Sequence, residues 1–158
     1  MKDLEKFATA KLSDEGVKIP LIDVEGNPTD HWIKIRGIDS AAFKSGQGEF
    51  RKNMLELHEL ESNNPKKDYS QRKDKEMVKL ISSLVVSWSF KNDDGTPYEC
   101  NQANKIDVLN QAPVLVEEID KASARRKNFI KRSLSKSANT QSKNSSSKKD
   151  QQKVKSVS

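Results

Sequence analysis

The chain has 158 residues, with apolar and charged side chains at 33% each, enough for one domain around a modest core. No apolar run approaches the ~18–20 residues that a membrane-spanning helix needs, so none is expected. The single cysteine, Cys100, excludes an internal disulfide, and with no apolar leader at the start of the chain a cytosolic protein is expected.

The net charge of +6 is unevenly spread. Residues 131–158 hold eight Lys and Arg against one acid, Asp150, which leaves 21 bases and 22 acids in residues 1–130. The chain divides accordingly into a flexible or short helical lead at 1–16, a domain at 17–132 and a Ser/Lys-rich tail at 133–158. That tail has almost no apolar side chains and is expected to be disordered, because it cannot offset the entropy of ordering. It can touch phosphates non-specifically but lacks the interleaved aromatics of a stacking platform, so a solvated tail is favoured over a nucleic-acid arm.

Residues 17–38, VKIPLIDVEGNPTDHWIKIRGI, read as a β-hairpin. Val17, Ile19 and Leu21 alternate with other residues, EGNPTD supplies a turn, and Ile33 and Ile35 face away from Lys34 and Arg36. Pro20 cannot donate to a ladder, so its strand is expected to be an edge or to leave Pro20 unpaired. Trp32 shares a face with Lys34 and Arg36, opposite the two isoleucines, and is the one candidate partner-binding residue. Core and interface readings both stand for it.

Asp39 and Ser40 suit an N-cap, and Phe43, Phe50, Met54, Leu57 and Leu60 follow at helical spacing. Gly46 and Gly48 predict an interrupted start, with the main helix over about 49–61. After the polar connection NNPKKDYSQRKD, an apolar stripe runs through Met77, Leu80, Ile81, Leu84, Val85 and Trp88. It predicts a central buried helix from Lys73 to about Trp88. The alternation of Val86, Trp88 and Phe90 in LVVSWSF is the competing strand signal, and the longer pattern outweighs it.

Asp94-Gly95 and Pro97 predict a turn in NDDGTPYECNQ. It is no EF-hand: with Gly95 at the sixth loop position, Phe90 and Asn101 fall where carboxylates are required. Asn101 can cap a short helix carrying Ala103, Ile106 and Leu109, and Pro113 suits the first turn of another. That last helix carries Leu115, Ile119, Ala122 and Phe129 on one side and ends near Arg132.

The only histidines, His31 and His58, have no ligand-spaced neighbour, and Cys100 sits in a turn without a motif. No phosphate-binding, nucleophile-elbow or zinc-protease motif occurs. The reading is therefore non-enzymatic, with no cofactor and no metal. The elements together predict an α+β fold, an N-terminal β-hairpin packed on a bundle of about four helices.

In this order, the hairpin VKIPLIDVEGNP…HWIKIRGID, a helix ending in an aromatic, the turn NDDGTPYEC and the run IDVLNQAPVLVEEIDKASARRKNF resemble the tail assembly chaperones of long-tailed bacteriophages. The resemblance covers about residues 17–132. It implies a chaperone that coats the tape measure protein, recruits major tail tube subunits, acts in the host cytoplasm and is absent from the finished virion. It also implies a second, longer form made by ribosomal frameshifting near the end of the short reading frame. Self-association stays open. Two rival classes remain, a DNA-binding accessory protein using the basic tail and a small structural subunit of a virion.

Overall fold

The computed structural model describes residues 3–130. The tail at 133–158, and with it the expected disorder and phosphate contacts, lies outside the described residues.

A 3-10 turn at Leu4–Lys6 and a short helix α1 (Ala10–Glu15) precede the hairpin, formed by β1 (Val17–Ile22) and β2 (Pro28–Ile35). Then come α2 (Ala41–Asn63), α3 (Ser70–Ser82), β3 (Val85–Trp88), α4 (Gln102–Gln111), α5 (Pro113–Ala124) and a 3-10 turn at Arg126–Phe129. The fold is α+β, as expected: a three-stranded antiparallel sheet in the order β1-β2-β3 and, among the described residues, five α-helices.

The hairpin closes as its turn chemistry requires. Asp23 Oδ1 accepts from the backbone N–H of Glu25 and Asn27 at 2.9 and 2.8 Å, and Gly26 takes φ +90°, a conformation that only glycine adopts freely. β1 is an edge strand. Pro20 pairs with Trp32, and the register shifts between Pro20 and Ile22, as a residue without an N–H demands.

The inner face of the sheet makes the core. Ile33 and Ile35, both fully buried, share the core with Ile81 of α3, Leu84 just beyond it, Leu109 of α4, Leu115 and Ile119 of α5, and Phe129. The lead joins this body: Gly37 N–H donates to the Ser13 carbonyl at 3.2 Å, and Ala41 N–H to Asp14 Oδ1 at 2.8 Å.

The central helix expected over Lys73 to Trp88 is corrected. α3 begins at Ser70 and stops at Ser82, and LVVSWSF supplies a strand. The helix end is closed by its own serines, since Ser82 Oγ and Ser83 Oγ donate to the carbonyls of Lys79 and Leu80, each at 2.6 Å. Such back-bonding competes with helix continuation. Beyond it, β2 supplies the ladder that Val85–Trp88 needs, with Ile33 opposite Trp88 and Ile35 opposite Val85.

The strand's buried face is neither of the two patterns in the sequence. A register shift between Lys34 and Ile35 puts Val85 and Trp88, three residues apart, on the inner side. Val86 and Phe90 are half-buried. Met77, expected in the buried stripe, is 44% exposed.

α2 is also corrected, from about 49–61 with a broken start to one continuous helix of 23 residues, about 35 Å long. Ser40 caps it, its hydroxyl accepting from Phe43 N–H at 3.3 Å. Gly46 does not interrupt the helix but lets it approach α3: a Cβ there would lie 3.1 Å from Ser83 Oγ and 3.5 Å from Leu80 Cδ1. Close packing offsets the roughly 1 kcal/mol that a mid-helix glycine costs relative to alanine.

The last helix ends at Ala124, earlier than the expected Arg132, which lies outside the described residues. Buried Ser123 donates to the Asp120 carbonyl at 2.9 Å, repeating the device that ends α3. The following turn seats Phe129 against Gly37, where a Cβ would come within 3.0 Å of the ring. The Asn101 cap and the Pro113 start are as expected, with Asn104 N–H donating to Asn101 Oδ1 at 2.9 Å.

Candidate docking face

The outer face of the sheet is where Trp32 lies. Ile33 and Ile35 turn inward, so Trp32 and Lys34, their alternates on β2, turn outward. Trp32 is half-buried and has no part in the core cluster, so the core reading of it does not hold. Its backbone is held firmly: Trp32 N–H donates to Ser89 Oγ at 2.9 Å, and Ser89 N–H donates to the Trp32 carbonyl at 3.1 Å.

Pro20, directly opposite Trp32 on β1, and Lys18, directly opposite Lys34, lie on this face with the exposed Asp30 of β2, and Ser87 of β3 pairs with Lys34 on the other side. Lys18 Nζ sits 3.9 Å from the centre of the Trp32 ring, a cation–π contact. Arg36, expected beside Trp32 and Lys34, instead turns to the end of α3, where Nη1 donates to the Ser83 carbonyl at 3.4 Å. Among the described residues, neither Lys18 nor Lys34 forms an ion pair. The contributions of Lys18 and Pro20 escape sequence reasoning because they depend on the register of β1 against β2, which is two residues off a regular ladder at the hairpin end.

The other candidates have structural surroundings. Trp88 is 8% exposed; its Nε1–H donates to the Tyr98 carbonyl at 2.7 Å, and its ring stacks on Tyr98 at 5.8 Å. The NDDGTPYEC turn is thereby fastened under the sheet. Within that turn Asp94 Oδ1 accepts from Thr96 N–H at 2.9 Å and from its hydroxyl at 2.6 Å, hydrogen bonds that hold the Asp94 carboxyl below its ordinary range. Asp23 and Asp68 are lowered by hydrogen bonds of the same turn-closing kind.

His31 is exposed, its ring 5.6 Å from Phe90 and its Nδ1 3.3 Å from Ser89 Oγ, and His58 is exposed on α2. Burial pushes the Cys100 thiol up, away from the thiolate that nucleophilic chemistry requires. Among the described residues, no three His, Cys, Asp or Glu side chains gather in a way that could hold a metal ion.

No family model matches this chain, and neither does any curated protein or solved structure.

Proposed function

We propose that this chain is a tail assembly chaperone of a long-tailed bacteriophage, a non-enzymatic protein that binds the tape measure protein and helps bring major tail tube subunits to it. The observation that carries this reading is the order of three short segments within one folded body: the hairpin, the NDDGTPYEC turn fastened to Trp88, and the VLNQAP junction between α4 and α5. Each has a folding role. In the junction Leu109 is buried and Pro113 opens α5 where a missing N–H costs nothing.

A client surface is available beside them. The outer sheet face offers an aromatic anchor on a rigid strand, and anchored aromatics are the side chains that dominate protein interfaces. An amphipathic helical client, long and prone to aggregate when unaccompanied, suits such a face. On this reading the protein acts in the host cytoplasm and leaves before the virion is complete.

Co-expression is the test. The tape measure protein of the same genome should stay soluble when this chain is present and precipitate without it. Equal solubility in both cases would remove the proposal. The longer frameshifted form has its own check, a larger product in infected cells that shares peptides with residues 1–132.

A further inference from the structure

We infer that the outer face of the sheet docks an acidic polypeptide segment, which lays an apolar side chain against Pro20 and the edge of the Trp32 ring that Lys18 leaves open and sets carboxylates on Lys18 and Lys34. As an assignment of the client's chemistry this rests on the chaperone reading; as an assignment of the face it stands on the geometry of the two strands.

The central observation is that Lys18 and Lys34 are directly opposed across β1 and β2. Side chains so paired have Cβ atoms about 5 Å apart, and like charges there are unfavourable. Nothing in the composition forces this arrangement, because residues 1–130 carry as many acids as bases to within one. A lysine on an edge strand has a sufficient explanation in discouraging strand-to-strand aggregation, and Lys18 alone would need no other. Lys34 is on the central strand, where that explanation fails. A partner carboxylate between the two ammonium groups turns the repulsion into attraction on both sides.

Trp32 and Pro20, the adjacent opposed pair, form the apolar part of the same face. The partner lies across the face and not along the strand edge, since Pro20 offers no N–H and the shifted register beyond it interrupts the edge. The position of Lys18 also favours a peptide over a nucleic acid. Its ammonium already occupies the face of the Trp32 ring at 3.9 Å, so a base could stack there only by displacing it. A carboxylate instead approaches the ammonium from outside and leaves the cation–π contact intact. One aromatic is in any case short of the successive platforms that single strands use.

The test uses the full chain and a synthetic amphipathic helical peptide without tryptophan, leucines on one side and glutamates on the other. Controls are the same peptide with lysine in place of glutamate, and single-stranded oligothymidylate. Tryptophan emission reports the event at Trp32, because Trp88 is buried on the opposite face. The acidic peptide should change the emission saturably, Trp32→Ala should abolish the change, and Lys34→Glu or Lys18→Glu should weaken binding at least about tenfold, a 1.4 kcal/mol effect. The basic tail is untouched in these variants, so unaltered binding by them would assign the peptide to the tail and overturn the inference. Oligothymidylate binding that is lost in Lys34→Glu, without acidic-peptide binding, would overturn it equally.

Lys34→Glu should also melt higher than the parent, since it replaces repulsion with an opposite-charge pair. A lower melting temperature would refute the premise of an unfavourable lysine pair. Co-expression separates the two readings. If Lys34→Glu still keeps the tape measure protein soluble, the client does not use this face, while the chaperone proposal stands. If the acidic peptide binds but the parent chain leaves the tape measure protein insoluble, the chaperone proposal falls and the docking face stands.

Discussion

Replacing Trp88 with alanine probes the joint on which the C-terminal half depends. The indole closes the inner side of β3 opposite Ile33, stacks on Tyr98, contacts Phe90 at a ring distance of 5.4 Å and donates to the Tyr98 carbonyl. Truncating a buried large aromatic costs about 3–5 kcal/mol. Against a typical domain stability of about 5–15 kcal/mol this is a large share, and the melting temperature should fall by on the order of 10–20 °C. Trp88→Phe keeps most of the ring but orphans the Tyr98 carbonyl, so it should cost about 1–3 kcal/mol. The difference between the two variants isolates the packing contribution. Urea unfolding followed by far-UV circular dichroism measures both without relying on the residue removed. A loss below about 1 kcal/mol for Trp88→Ala, small for any core truncation, would refute the placement of Trp88 as the anchor of the NDDGTPYEC turn.

Three further outcomes are expected. Gly48 of α2 has nothing within 4 Å of an added Cβ, so Gly48→Ala should raise stability by about 0.5–1 kcal/mol in thermal melts, whereas Gly37→Ala should lower it by about 1–3 kcal/mol, because its Cβ would meet Ser13 Oγ at 2.6 Å and the Phe129 ring at 3.0 Å. Asp39 accepts two hydrogen bonds from Arg126, at 2.8 and 3.0 Å, which with Thr9 hold its carboxyl below the ordinary range. A depressed carboxylate adds stability that is fully present above its unfolded value of about 3.9 and is lost as pH falls through the lower folded value, so Asp39→Asn should flatten the acid limb of a stability-versus-pH curve below about pH 4. Trp32→Ala should fold normally, with a loss of stability well under that of Trp88→Ala in the same urea titration, since its ring is outside the core.

Local chemistry made much of this protein legible in the sequence. The hairpin, the Ser40 and Asn101 caps, the Pro113 start and the Asp94-Gly95 turn depend on residues within a few positions of one another, and the structure has all of them. Trp32 could be placed opposite Ile33 and Ile35 by alternation alone. Its partners could not, because Lys18 reaches it through a register that a proline and a shifted ladder set.

The fate of LVVSWSF was decided at long range. Leu80, Ile81 and Leu84 carry a helical stripe up to its border, and Val85 and Val86 cost a helix only tenths of a kcal/mol each, so local preference left helix and strand nearly balanced. The sheet breaks that balance: β2, some fifty residues earlier in the chain, presents unpaired backbone groups that only a neighbouring strand can satisfy. Gly46 is a similar case, a break when read alone and a contact once Ser83, just past the end of α3, lies 3.1 Å from its absent side chain. Propensities of a few tenths of a kcal/mol are summed along the chain, whereas burial and ladder pairing act between distant segments, and where the two disagree here the distant partner prevails.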